Sequence, residues 1–226
     1  MQLHVHFKMN HNLYLRDPES SELGKNIIKY GIELIHDTGF EDFTFKKLAK
    51  AIGTTEAGVY RYFENKHRLL TYLTTWYWTW LEYQFVFQTN NITDPGAKIQ
   101  ILLNLLISVG NNSITSEHIN ERKLHSVVIA EGNKSYFTKH IDEDNKSLLF
   151  KPYKDLCQRI ADVFLGYSPA FPFPHSLAST VIETAHHQYY FQEHLPRLTD
   201  FGQAVGGNDL MKFLEELVYS PLNKYC

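Results

Sequence analysis

Cysteine is nearly missing from this chain: Cys157 and Cys226 are the only two in 226 residues, too few and too far apart for a disulfide framework or a zinc cluster. That usage points to a reducing compartment, so a cytoplasmic protein is expected. Long apolar runs are missing too. Even the segment from Ile101 to Val109 is broken by Asn104 and Ser108, far short of the ~18 to 20 residues that span a bilayer, so no membrane partner is expected. The opening MQLHVHFKMNHNLYL lacks the basic start, apolar core and small-residue site of a secretion signal. It reads as a loose arm over residues 1–16. There is no Gly-x-Ser-x-Gly, no phosphate loop, no dinucleotide fingerprint, no His-Glu-x-x-His and no clustered cysteine. The expectation is therefore no catalytic residue, no cofactor, no resident metal and no enzyme. No alternating strand pattern or internal repeat occurs either, which leaves an all-α chain.

What is present is a series of well-punctuated helices. Asp17-Pro18 suits a helix opening, and Leu23, Ile27, Gly31, Leu34 and Ile35 follow on one face. Thr44 is placed to cap a short helix from about Phe45 to Ile52, with Phe43 stapled onto Leu48 and Gly53 ending it left-handed. After Thr54 or Thr55 comes a second short helix to about Tyr62, with Glu56 at its positive end. Asn65 caps a third, longer one. Two short helices on a glycine turn are the connection that lets the second project into a DNA major groove.

Ala51, Gly53, the run Val59-Tyr60-Arg61-Tyr62-Phe63 and Asn65-Lys66 stand in the order and spacing of the tetracycline-repressor (TetR) family head, which the region from Asp17 to Leu70 resembles. The resemblance implies a three-helix DNA-binding head at residues 17–70, a helical ligand-binding and dimerisation body at 71–226, and a homodimer on double-stranded DNA. In such a dimer Pro152 to Leu165 and Ser176 to Leu195 would pair with their copies as a four-helix bundle. The exposed first turn departs from the family pattern, with Glu56, Ala57 and Gly58 where Lys, Pro or Gln, then small residues and Thr or Ser, are common.

Charge distribution agrees with a reading head. Net charge is only -3, but residues 44–70 carry an excess of four positive charges and residues 69–226 an excess of four negative ones. With Val59 and Phe63 turned inward, Glu56, Ala57, Gly58, Tyr60 and Arg61 are expected to meet base edges. Arg61 suits guanine, Glu56 the cytosine amino group, Ala57 a thymine methyl, and Gly58 a close backbone approach. Thr44, Thr55, Tyr62 and Lys66 are expected on phosphates.

In the body, the helix from Asn65 to about Gln88 carries Trp76, Trp80, Tyr83 and Phe87 along one side. They are either packed core or the lining of a pocket for a flat, apolar or aromatic effector that releases a repressor from a palindromic operator, with His125 as a polar handle. Further helices are expected from Ile99 to Val109, ended by Gly110-Asn111-Asn112, from Glu117 to Glu131, from Pro152 with a kinked extension back to Asp144, from Ser176 to Leu195, and around Leu210 to Tyr219 after the link Gly202-Gln203-Ala204-Val205-Gly206-Gly207. Two rivals stay open. One is an architectural DNA binder without an effector. The other is a helical metal-dependent protein using Glu183, His186, His187 and His194, whose helical spacing places pairs on one face.

Overall fold

Side-chain caps decide where this chain turns helical. In the computed structural model, which describes residues 3–4, 6–108, 114–115, 117–201 and 208–226, Asp17 and Pro18 open only a single 3-10 turn, Pro18–Ser20. Ser21, extended at φ -155°, interrupts the chain there, and its Oγ accepts from the Gly24 amide at 3.1 Å to start the first true helix, α1, Glu22–Asp42. Near its end Gly39 has φ 77° and ψ 160°, a conformation open to glycine, which turns the last residues out of the helix. Helix α2, Phe45–Ala51, starts where Thr44 Oγ1 accepts from Lys47 N at 3.2 Å. Gly53, at φ 68°, makes the turn. Helix α3, Glu56–Tyr60, is capped by Thr55, and α4, Lys66–Thr89, by Asn65, whose Oδ1 accepts from Arg68 N at 2.9 Å.

Beyond α4 come α5, Pro95–Ile107, α6, Glu121–Glu131, α7, Asn133–Tyr136, and α8, Ile141–Lys146. They are followed by α9, Lys151–Tyr167, α10, Pro174–His194, and α11, Asn208–Leu222. Asp94 caps α5 and Asn120 caps α6, which starts at Glu121, four residues after the expected Glu117. The expected extension of α9 back to Asp144 does not form as one helix, because Leu148 takes φ 60° and separates α8 from α9. The expected terminator Gly110-Asn111-Asn112 and the link 202–207 lie outside the described residues. Among the described residues the fold is all-α except for one two-residue parallel ladder, β1, Leu3–His4, with β2, Ile114–Thr115.

The chain divides into two compact units. The first holds Met1–Trp80 and Asn112–Pro152, the second Leu81–Asn111 and Tyr153–Cys226. The cut expected at residue 70 is thus not where the contacts thin out. In the first unit Ile27, Ile28, Ile32 and Ile35 of α1 are buried with Phe43, Leu48, Val59, Phe63 and Leu69, each full side chain contributing roughly 1.5–3 kcal/mol. Helix α1 also packs along α6. The expected loose arm is docked over its later part: Leu13 is fully buried, Met9 is 7% exposed, and the Leu15 amide donates to Tyr62 O at 2.8 Å. In the second unit Leu210, Leu214, Val218 and Leu222 form a stripe four residues apart on α11, which packs on α5 and α10.

Candidate nucleic-acid interface

The turn between α2 and α3 is built from local bonds. Thr54 N donates to Ala49 O at 2.9 Å, and Thr55 Oγ1 accepts from Gly58 N at 3.1 Å. Val59 and Phe63 are fully buried, so α3 is anchored by one face and its other face is free. On that free face stand Glu56, Ala57 and Arg61, all exposed, and Tyr60, 46% exposed with its ring edge-on to Phe45 at 5.0 Å. Arg61 and Glu56 form no ion pair among the described residues. Lys46 and Lys50 on α2 are also exposed and unpaired there, which adds two cations that sequence reading had counted as charge without assigning them a role.

Three expected contacts are corrected. Gly58 is buried, not outward, and a Cβ there would meet Thr54 Oγ1 at 2.8 Å, so its small size serves the turn. Tyr62 is 2% exposed and its hydroxyl is 2.7 Å from Ser21 Oγ, which ties the end of the reading helix to the start of α1 and leaves no hydroxyl for a phosphate. Lys66 is spent on the backbone. Its Nζ donates to Phe40 O at 2.9 Å, to Glu41 O at 3.1 Å and to Phe43 O at 3.4 Å, and lies 4.6 Å from the Phe40 ring centre. The ammonium therefore neutralises the carbonyl ends left where α1 stops. Thr44 and Thr55 remain exposed, and each hydroxyl can still donate while its oxygen caps a helix.

Two residues not foreseen complete this junction. Glu131 Oε1 at the end of α6 accepts from the Phe40 amide at 2.9 Å, and Lys134 Nζ bridges Glu131 at 2.8 Å and Glu41 at 2.7 Å. Hydrogen bonds to Glu131 and then Glu41 push the Lys134 pKa up, and the bond from Lys134 holds Glu41 below the usual carboxylate range. Arg68 pairs with Asp144 at 2.8 Å. The end of α1 and the start of α4 are thereby fastened to α6, α7 and α8.

The expected effector residues are not gathered into one cleft. In the first unit Trp76 and Trp80 are 2% and 4% exposed, and Phe7 meets the Trp76 ring at 5.5 Å. His125 Nδ1 is 2.9 Å from the Tyr77 hydroxyl, a structural bond in a buried setting. In the second unit Tyr83 and Phe87, 39% and 51% exposed, stack on each other with centres 6.3 Å apart. Three clefts of about 460, 460 and 560 Å³ open elsewhere, and none of these three is lined by Trp76, Trp80, Tyr83, Phe87 or His125.

The late histidines do not form a ligand set. Among the described residues no three His, Cys, Asp or Glu are grouped to hold a metal. Glu183 instead accepts from the Tyr153 hydroxyl at 2.8 Å, and burial, then His187, pushes the His186 pKa down to about 3. Burial and then Glu183 push the Cys157 thiol up to about 12, which keeps it protonated and unreactive. No described helix is long and apolar enough to cross a membrane.

Residues 27–73 match the family of bacterial regulatory proteins described as tetR. No curated protein matches the chain by sequence. Among solved structures, it superposes with AibR in complex with isovaleryl coenzyme A and operator DNA at a TM-score of 0.59, with 14% identity over 87% of this chain and 99% of that one. It is similar to the ketosteroid transcriptional regulator KstR2 of Mycobacterium tuberculosis at a TM-score of 0.57, with 13% identity over 88% and 94% of the two chains. The SmeT–triclosan complex gives 0.58, with 16% identity over 87% and 90%. At such identities the likeness is one of fold, and it extends through the body. The head of this chain is that of the tetR family, whose members are DNA-binding regulators of transcription.

Proposed function

We propose that the protein is a DNA-binding transcriptional regulator in which α3 enters a major groove. The observation that carries this reading is the free face of α3, where Glu56, Ala57, Tyr60 and Arg61 stand exposed while Val59 and Phe63 anchor the helix. Arg61 offers a bidentate pair to guanine and Glu56 an acceptor for cytosine. Thr44, Thr55, Lys46 and Lys50 supply phosphate contacts.

A single head buries little DNA, so the reading includes a homodimer on a palindrome. Helices α9 and α10 are the pairing elements. Exposed Phe173, Leu195 and Leu198, at 63%, 46% and 59%, flank the two ends of α10 and favour it as an interface between copies. The likeness to AibR, solved with isovaleryl coenzyme A, and to SmeT, solved with triclosan, supports a small-molecule effector; in this reading it lowers operator affinity, and the exposed pair Tyr83 and Phe87 is its contact surface.

Selection of duplexes from a random pool by the purified protein tests the reading. A recovered two-fold symmetric sequence, bound by a species of twice the chain mass, is the expected result. Recovery of no sequence preference, with a monomeric mass at micromolar concentration, leaves an architectural binder at most.

A further inference from the structure

The N-terminal segment, α4 and the connection between α8 and α9 border an open cleft of about 560 Å³ within the first unit. Lys8, Lys146 and Lys151 line it together with His11, and no Asp or Glu does. In a chain of net charge -3 that is an uncommon composition. Of the acids of α8, Glu143 and Asp144 line a different cleft, and Asp142, four residues before Lys146, lines neither of the two. Neither Lys8 nor Lys146 forms an ion pair among the described residues.

The walls are fixed by specific bonds. Asn10 Nδ2 donates to Ser147 O at 2.9 Å, joining the N-terminal segment to the turn after α8. Thr75 Oγ1 donates to Leu149 O at 3.2 Å, which fastens the end of that turn to α4. Between these two bonds lies Leu148, the one non-glycine residue among those described with a positive φ, 60°, and 58% exposed at the rim. A leucine held left-handed and turned toward solvent is a conformation that surrounding structure must enforce, and such positions cluster at ligand sites. Met9 and Pro152 add apolar surface.

We infer that this cleft binds a small phosphate ester, its phosphate held by Lys8 and Lys146 and its organic part against Met9, Leu148 and Pro152. Lysine ammonium groups act on phosphate as point charges, and two without an ion pair at a cleft that no carboxylate lines give a local field that attracts an anion. The site is separate from the reading face of α3 and from Tyr83 and Phe87, and its existence does not depend on the DNA-binding role.

Calorimetric titration of the full chain at constant ionic strength tests it, with inorganic pyrophosphate as the first probe. The wild type is expected to bind, Lys8→Gln with Lys146→Gln to weaken binding at least tenfold, and Lys212→Gln with Lys224→Gln, an equal loss of charge elsewhere, to change it less than twofold. Absence of binding, or equal loss in the two double variants, overturns the site. Phenyl phosphate binding several-fold tighter than inorganic phosphate supports the ester, and equal affinities overturn that part of the assignment. Loss of DNA affinity in the Lys8 and Lys146 variant with pyrophosphate binding intact would place those lysines on DNA instead and also overturn the proposal.

Discussion

The free face of α3 and the junction around Phe40 are made of the same residue types and do opposite things with them. At the junction Lys66, Lys134 and Glu131 are all engaged, by three carbonyls, two carboxylates and a backbone amide. On α2 and α3 Lys46, Lys50, Arg61 and Glu56 are exposed and have no ion pair among the described residues. A count of charge over residues 44–70 treats Lys66 like Lys46, Lys50 and Arg61. The contrast teaches that a satisfied cation contributes to the fold, whereas an unsatisfied one on an anchored helix is available to a partner.

The largest expected effect comes from breaking the junction. Lys66→Ala leaves the carbonyls of Phe40, Glu41 and Phe43 without their charged donor and should destabilise the protein by ~2 to 4 kcal/mol, since hydrogen bonds to charged groups are the stronger kind. Urea denaturation measures it. An unchanged midpoint with weakened DNA binding would return Lys66 to the phosphate-contacting group.

The mirror experiment is on the free face. Arg61→Ala should leave the urea midpoint unaltered within about 0.5 kcal/mol, yet cost ~1 to 3 kcal/mol of discrimination at one base position. Competition binding against single-base variants of a selected site reads this out, and a stability loss as large as that of Lys66→Ala would erase the distinction between the two regions.

The second unit supplies a third treatment of a basic group, deep burial. Because the folded-state pKa of His186 lies near 3, below the ordinary value of about 6.5, the unfolded chain takes up a proton between those limits that the folded chain refuses. Stability should therefore fall as pH drops from about 6.5 toward 3, at up to ~1.4 kcal/mol per pH unit from this group. Comparison of wild type with His186→Leu in urea at pH 7 and pH 5 checks it. The variant should lose less stability than wild type, and parallel losses would show that the imidazole titrates normally.

A smaller effect is expected from Glu131→Gln, which keeps an oxygen for the Phe40 amide but removes the charge facing Lys134. A loss of about 1 kcal/mol is expected from the partly exposed pair, with the midpoint of a urea curve as the readout. No loss would mean that Lys134 is held by Glu41 alone.

Much of the head was legible because its determinants are local. Thr44, Thr55 and Asn65 cap helices within three residues of themselves, and Gly53 turns the chain at its own φ, so a linear reading finds them. Tyr62 and Lys66 were misjudged because their partners are distant: Ser21 is 41 positions from Tyr62, and Phe40 is 26 from Lys66. Glu131 was invisible for the same reason, being 91 positions from the amide it caps. Gly58 was placed outward by helical geometry alone, and only the short α3, pinned under Thr54, turned it in. The aromatic stripe of α4 illustrates the limit of periodicity: it grouped Trp76, Trp80, Tyr83 and Phe87 on one side, although the first two are buried and the last two exposed.

The central claim is that the unsatisfied charges of α2 and α3 bind DNA. Its most direct measurement is fluorescence anisotropy of a labelled duplex, selected by the protein, titrated at several salt concentrations. The account predicts binding whose logarithmic affinity falls linearly with the logarithm of salt concentration, with a shallower slope for Lys46→Gln combined with Lys50→Gln. No binding at low salt, or a slope that the two lysine changes leave untouched, would contradict it.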